Sequence, residues 1–202
     1  MRNTSEFKLG GDWTSFLIAG VQWSEQKRRN PRVTFSGVIT PGAGTHPEGD
    51  MTKYGVFSQL EIMWSDKLMI IPGVRVDWTD LKPGATVVNG TRLTNRVKDS
   101  GVSPKIAAIY SFTDWLGVFG SAARTVRMPN VDEIFTLSAT RPANPNLKPE
   151  KSDNYEAGFT LSFNGLAEKH DKLRLKTTLF RNDVKNLFIN AALLGFIPKS
   201  VK

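Results

Sequence analysis

Cysteine is absent from the chain of 202 residues, which excludes disulfide scaffolds, zinc ribbons, thiol catalysis and iron–sulfur ligation. Long apolar runs are missing too, because no stretch approaches the roughly 18 residues of a membrane-spanning helix. Residues 1–6 lack the apolar segment of a signal peptide. Acidic residues are fewer than basic ones, 19 against 27, giving a net charge of +8. The 40% hydrophobic and 10% aromatic content excludes a disordered chain.

Strand periodicity dominates the sequence. Apolar and polar residues alternate in five segments, so each predicted strand has one apolar and one polar face. Two further segments, 115–124 and 172–183, alternate more weakly. Seven strands therefore account for most of the chain, which contains no internal repeats. The five clear segments are residues 13–23, 54–64, 68–78, 102–112 and 155–163.

The predicted connections alternate between long and short. Long connections cover residues 27–51, 80–100 and 125–152, and short turns lie at 65–66, 113–114 and 164–171. This alternation predicts an all-β, antiparallel up-and-down meander of seven or eight long strands. All of its long loops lie at one end.

Strand length and aromatic spacing favour a membrane barrel. The predicted strands have about 10 to 13 residues, twice the length usual in globular sheets. Trp13 and Trp23 bracket one apolar face, and Tyr54 and Trp64 bracket the next. Ten residues span about 33 Å, which a tilt near 45° projects to about 23 Å. That distance matches the apolar band of roughly 25 Å, flanked by aromatic girdles, of outer-membrane barrels.

A soluble β-sandwich, serving as a ligand-binding or adhesin module, is the alternative. Its strands alternate in the same way, but a second protein layer would cover the apolar face. The barrel interpretation requires closure, because open sheet edges are costly in lipid. Seven strands fall short of the roughly eight of the smallest barrels. We therefore expect residues 1–202 to form part of a larger barrel domain, incomplete as given.

Four motifs resemble those of TonB-dependent outer-membrane receptors. They are VRMP at 126–129, DEIF at 132–135, NPNLKPE at 144–150 and YEAG at 155–158. The similarity extends over residues 54–190, about two-thirds of the chain. The order of the motifs is specific to the family, though not to one ligand.

The resemblance implies a bacterial outer-membrane location and transport rather than catalysis. Such receptors are barrels of about 22 strands with a plugged lumen. They import iron complexes, haem or cobalamin with energy delivered through TonB. This chain would supply part of the barrel, without the plug domain or the TonB box. It would therefore meet the TonB complex only through that plug.

The expected cargo is a ferric siderophore or haem, with no covalently bound cofactor. The arginine-proline and NPNL motifs are most similar to those of haem and haemoglobin receptors. In those receptors a histidine in the loop between the two motifs ligates haem. Residues 130–143 contain no histidine, so both kinds of iron complex stay open.

Candidate site residues lie mainly in the predicted long loops, which carry binding functions in rigid scaffolds. Guanidinium groups suit the oxygens of an anionic ferric complex, and an imidazole suits haem iron. The alternative role is structural, since Pro and Asn set turn geometry. No catalytic set or metal-ligand cluster is apparent. The ligand-binding candidates are Arg127, Arg141, Asn144 and His46; the family-motif residues with a structural role are Pro129, Glu133, Asn146, Pro149, Glu150, Tyr155 and Glu156.

The basic excess predicts an anionic partner. Basic loop residues, including Lys27, Arg29, Arg96 and Lys98, would contact outer-membrane lipid and the phosphates of lipopolysaccharide. A nucleic-acid partner is not expected, because no basic helix or aromatic RNA-binding motif is present. The polar face would line the lumen and meet a plug. Its predicted members are Gln59, Glu61, Arg75, Asp77, Lys105 and Glu156.

Overall fold

The structure, a computed structural model, consists mainly of long antiparallel strands. It describes residues 2–30, 32–33, 35–40, 47–84, 87–88, 91–92, 95–135, 144–165 and 170–187. The strands are β1 (Arg2–Gly10), β2 (Trp13–Arg28), β3 (Arg32–Val33), β4 (Ile39–Thr40), β5 (Gly49–Trp64), β6 (Leu68–Pro83), β7 (Val87–Val88), β8 (Thr91–Arg92), β9 (Val97–Ser111), β10 (Leu116–Arg127), β11 (Glu150–Asn164) and β12 (Lys172–Lys185). One short helix, α1 (Val131–Phe135), follows β10.

The eight long strands form one sheet in the order β1-β2-β5-β6-β9-β10-β11-β12. Every neighbouring pair is antiparallel, and each strand pairs with the next long strand along the chain. The predicted meander is therefore confirmed. The two-residue strands form two separate ribbons within the long connections.

Three features differ from the sequence prediction. Strand β1 was not predicted as a strand, because it carries few apolar side chains. Strands β2 and β5 extend beyond the outer aromatic residues to Arg28 and Gly49, where polar residues on both faces hide the alternation. Helix α1 lies in a segment that the sequence analysis treated as loop.

One face of the sheet is apolar from strand to strand. Trp13 lies opposite Trp64 at the short-turn end, with ring centroids 6.0 Å apart. Trp23 lies opposite Tyr54 near the long-loop end, and Tyr54 lies opposite Trp78. The aromatic residues predicted at the two ends of the apolar face therefore lie beside one another on that face. Between them, valines at positions 21, 56 and 102 are 53%, 47% and 51% exposed.

That exposure rules out the sandwich. The eight long strands lie in one sheet, and nothing in the described part of the chain packs on its apolar face. A sandwich would bury these side chains against a second sheet. Among the described residues, no helix has the length and apolar character needed to cross a membrane.

The buried core lies at the long-loop end, on the face opposite to the aromatic girdles. Helix α1 packs there, and its Ile134 and Phe135 side chains are 0% and 1% exposed. Met51 of β5 and Leu81 of β6 complete the cluster, with Val97 packed against it. Residues 128–135, which follow β10, therefore lie over the polar face of the sheet.

Candidate functional site

Arg127 joins the two ends of the loop that carries the family motifs. It is the last residue of β10 and lies opposite Glu150, the first residue of β11. Its Nη2 donates to Glu150 Oε2 at 2.9 Å, and its Nη1 donates to both Glu133 oxygens at 2.9 and 3.1 Å. Hydrogen bonds between charged groups are stronger than neutral ones. This guanidinium therefore connects β10, α1 and β11.

Helix α1 begins with a capping box. The Glu133 N–H donates to Asn130 Oδ1 at 2.9 Å, and the Asn130 N–H donates to Glu133 Oε2 at 3.0 Å. These two bonds satisfy backbone donors that a helix start leaves without partners. Asn130, with Glu133 three residues later and apolar residues at 131, 134 and 135, is a sequence signal that would have identified this helix.

Close packing fixes α1 on the inner face. A Cβ added at Gly49 would lie 3.1 Å from Val131 Cγ1 and 2.9 Å from the Lys82 carbonyl oxygen. Only a residue without a side chain allows this approach. Arg28 at the end of β2 forms an ion pair with Asp132. The helix is thus held by apolar contact on one side and by charge on the other.

The NPNL motif returns the chain from α1 to β11. The Asn144 N–H donates to the Ile134 carbonyl at 2.8 Å, and Asn144 Oδ1 accepts from the Asn146 N–H at 3.1 Å. The second bond is an Asx-turn. Asn186 Nδ2 donates to the Pro149 carbonyl at 3.1 Å. The Asn144 side chain, a ligand-binding candidate, therefore takes part in a turn.

The other sequence candidates fall in different places. Pro129 is fully buried. Tyr155 is 49% exposed on the apolar face, opposite Ala122, while the adjacent Glu156 lies on the inner face. His46 and Arg141 lie outside the described residues.

Arginines at the loop end form ion pairs with aspartates. Arg29 Nη1 lies 2.5 Å from Asp50 Oδ1, and Arg96 pairs with Asp80. Both aspartates lie beyond the outer aromatic residues. The hydrogen bond from Arg29 holds the pKa of Asp50 below its ordinary value, although partial desolvation acts in the opposite direction. Arg96 lowers the pKa of Asp80 in the same way.

The inner face carries the predicted polar residues in two connected groups. Arg75 donates to both Asp77 oxygens, with Nη2 to Oδ1 at 2.6 Å, and to Gln22 Oε1 at 3.0 Å. Gln59 donates to Glu61 Oε1 at 2.7 Å and accepts from Lys105. The two groups border an open groove of about 360 Å³ on the wall. They cross β2, β5, β6 and β9 and compensate one another's charges.

No group of three or more His, Cys, Asp or Glu side chains suited to a metal ion occurs among the described residues. The described residues at the loop end instead form an apolar cluster joined by ion pairs. The sequence had identified the motif residues without their mutual contacts, because the contacts join positions up to 23 residues apart.

A family model described as "TonB dependent receptor-like, beta-barrel" matches residues 1–198. Among curated proteins, the heme/hemopexin utilization protein C of Haemophilus influenzae is 30% identical over 94% of this chain and 26% of its own length. A hemin receptor of Yersinia enterocolitica is 30% identical over 78% of this chain and 24% of its own length. The chain thus spans about a quarter of the length of these relatives.

Solved structures share the fold. The hemophore receptor HasR of Serratia marcescens, in complex with its hemophore HasA and heme, superposes with a TM-score of 0.74 at 21% identity. The match covers 92% of this chain and 32% of HasR. The copper transporter OprC superposes with a TM-score of 0.63 at 17% identity, over 91% of this chain and 30% of its own.

Proposed function

This chain belongs to the TonB-dependent receptor β-barrel family, and we propose that it forms part of the wall and mouth of a receptor for an iron complex. Members of the family are outer-membrane receptors and transporters rather than enzymes. Haem is the favoured cargo. The observation that carries this choice is the similarity to a heme/hemopexin utilization protein and to a hemin receptor, each at 30% identity. A ferric siderophore is the other cargo that the sequence left open.

The eight strands would be one part of a larger barrel domain. Within the described residues, β1 and β12 each have a strand neighbour on one side only. Unpaired backbone groups are costly in a bilayer, so further strands are needed to close the wall. In this arrangement the polar inner face meets a plug, and the TonB complex acts through that plug.

Capture would take place at the mouth, without covalent chemistry. The network of Arg127, Glu133 and Glu150 fixes both ends of the motif loop. We assign Arg127, Asn144 and the other described motif residues to holding this loop. Arg141, between the two fixed ends in the sequence, and His46, between β4 and β5 in the sequence, are the proposed cargo contacts. A guanidinium suits an anionic group such as a haem propionate, and an imidazole suits haem iron.

The outward face would contact membrane lipid, and the basic loop residues would contact lipopolysaccharide. The described arginines at positions 28, 29 and 96 are already paired with carboxylates. Among the described residues Lys98 forms no ion pair of this kind, so it is the better candidate for a phosphate contact.

Growth on a single iron source tests the cargo. A strain without the receptor gene, supplied with the gene in its full natural length, is grown with haem or with ferric siderophores as sole iron. We expect rescue with haem, and binding of haem by the purified protein in a spectral titration. Rescue by a siderophore without haem binding would overturn the choice.

His46→Ala and Arg141→Ala test the proposed contacts. Each should weaken haem binding while the amount of protein in the outer membrane stays unchanged. Lys53→Ala, which removes a charge from the inner face of β5, is the control. Equal haem affinity of all four proteins would overturn the assignment.

A further inference from the structure

The backbone ladder between β9 and β10 stops before the outer ends of these strands. The paired residues run from Gly117 and Ser111 to Ala123 and Lys105. The next residue on β9, Pro104, has no N–H to donate. Beyond it, the Val126 N–H donates to the Ser103 hydroxyl at 3.1 Å instead of to a backbone carbonyl. A seam between the two strands therefore starts at Pro104.

A groove of about 480 Å³ lies at this seam on the outward face. Prolines and alanines supply much of the lining of this open channel, beside the larger Ile106 and Tyr155. Hydrocarbon chains of lipid would fill such a channel, because it faces the bilayer. The principal lining residues are Pro72, Pro104, Ile106, Ala122, Arg124 and Tyr155.

Cationic groups lie at the outer end of the groove. Arg124 Nε is 2.6 Å from Asp153 Oδ1, and Arg181 Nε is 2.9 Å from Asp183 Oδ2. Two residues farther out on each strand, Lys151 lies directly opposite Lys185. Like charges directly opposite one another destabilise a sheet. Neither lysine forms an ion pair within the described residues, and Asp153, on which both ammonium groups act electrostatically, is already paired with Arg124. An anion between the two ammonium groups is therefore favoured.

We propose that one lipopolysaccharide molecule of the outer leaflet binds at this seam. An acyl chain lies along Pro104 and Ala122, and a phosphate lies between the ammonium groups of Lys151 and Lys185. Tyr155 borders the site at the depth where amphipathic rings are favoured. The inference deepens the lipid contact of the proposed function. It rests on the outer-membrane location and on the long loops facing outward, and it is independent of the cargo.

The charges favour lipopolysaccharide over a neutral lipid. Arg124, Lys151, Arg181 and Lys185 are four cations around two carboxylates, Asp153 and Asp183. The surplus suits a headgroup with more than one phosphate. An anionic headgroup is attracted by each basic residue near the membrane surface. The adjacent apolar channel selects an amphiphile over free phosphate.

Lipid A binding tests the site. The full-length receptor is purified in detergent, delipidated and titrated with diphosphoryl lipid A. Native mass spectrometry then counts the lipid A molecules bound to each receptor. Lys151→Gln/Lys185→Gln removes the phosphate contact, and Ala122→Leu fills the channel. Lys67→Gln/Lys172→Gln, which removes two exposed lysines from the short-turn end of the sheet, is the matched control. Migration of the unheated protein in SDS gels reports folding in each case.

We expect the Lys151/Lys185 double variant to bind diphosphoryl lipid A about tenfold or more weakly than the native protein. Ala122→Leu should also bind it more weakly, and the control should bind it as the native protein does. Dephosphorylated lipid A should bind the native protein and the double variant equally. Equal binding of diphosphoryl lipid A by both proteins would overturn the proposal. So would equal affinity for phosphatidylglycerol. Neither result depends on haem uptake, so failure of the cargo assignment remains distinguishable.

Discussion

Glu133 accepts the Arg127 guanidinium on both carboxylate oxygens while one of those oxygens also accepts the Asn130 N–H. A single side chain thus caps α1 and ties it to the end of β10. Arg127, Asn130 and Glu133 act together because their contacts meet at this one carboxylate. Arg127 in turn reaches Glu150, so the loop is fixed at both ends.

Replacing Glu133 with Ala should loosen the loop without preventing barrel assembly. The variant loses the capping box and one arm of the Arg127 network, at a cost of about 1 to 2 kcal/mol. Hydrogen exchange at residues 131–135 should accelerate in the purified protein. Glu25→Ala removes a carboxylate from the exposed pair with Lys27 and is the control. Unchanged exchange in Glu133→Ala would contradict the assigned role.

Gly49→Ala should displace α1 from the inner face. The added methyl group would lie 2.9 Å from the Lys82 carbonyl oxygen and 3.1 Å from Val131, closer than ordinary contact. Overpacking of this kind costs about 1 to 3 kcal/mol. Hydrogen exchange of α1 measures the effect. Gly120→Ala, whose methyl would meet only the Glu156 carbonyl oxygen at 3.6 Å, should leave exchange unchanged.

Arginine on the outward face should impair membrane assembly. Val76 lies opposite Val56, and Phe159 lies opposite Val118. A charge placed there costs about 2 to 4 kcal/mol near the bilayer midplane. Val76→Arg and Phe159→Arg should reduce the folded protein recovered from outer membranes. Ser121→Arg places the same side chain on the inner face, opposite Glu156, and should assemble normally. Equal recovery of all three would contradict the assignment of the faces.

Acid should weaken the loop end. Because Arg29 lowers the pKa of Asp50, ionisation of that aspartate favours the folded state. This contribution is complete above the ordinary pKa of 3.8 and is lost as the pH falls through the lower folded-state value. Hydrogen exchange near residues 49–52 should accelerate in that acidic range. Asp50→Asn should remove the dependence at this site while leaving the one at Asp80.

The sequence predicted the meander because alternation and aromatic spacing are local signals. Four aromatic residues were enough to predict the apolar face and the length of its apolar band: Trp13, Trp23, Tyr54 and Trp64. Strand β1 escaped detection because only Phe7 and Leu9 are large apolar residues in it. The seam at Pro104 and the Lys151–Lys185 pair could not be predicted, because they depend on which residues of different strands lie opposite one another.

The chain-order pairing of the long strands has a consequence for biogenesis. Within the described sheet each long strand pairs with the next one along the chain, so this part of the wall can grow by successive hairpins, each using the preceding edge as a template. The short turns, such as the one with Ser65 at a φ of 49°, would then close first. A defect in one hairpin would stall elongation there, leaving earlier hairpins inserted.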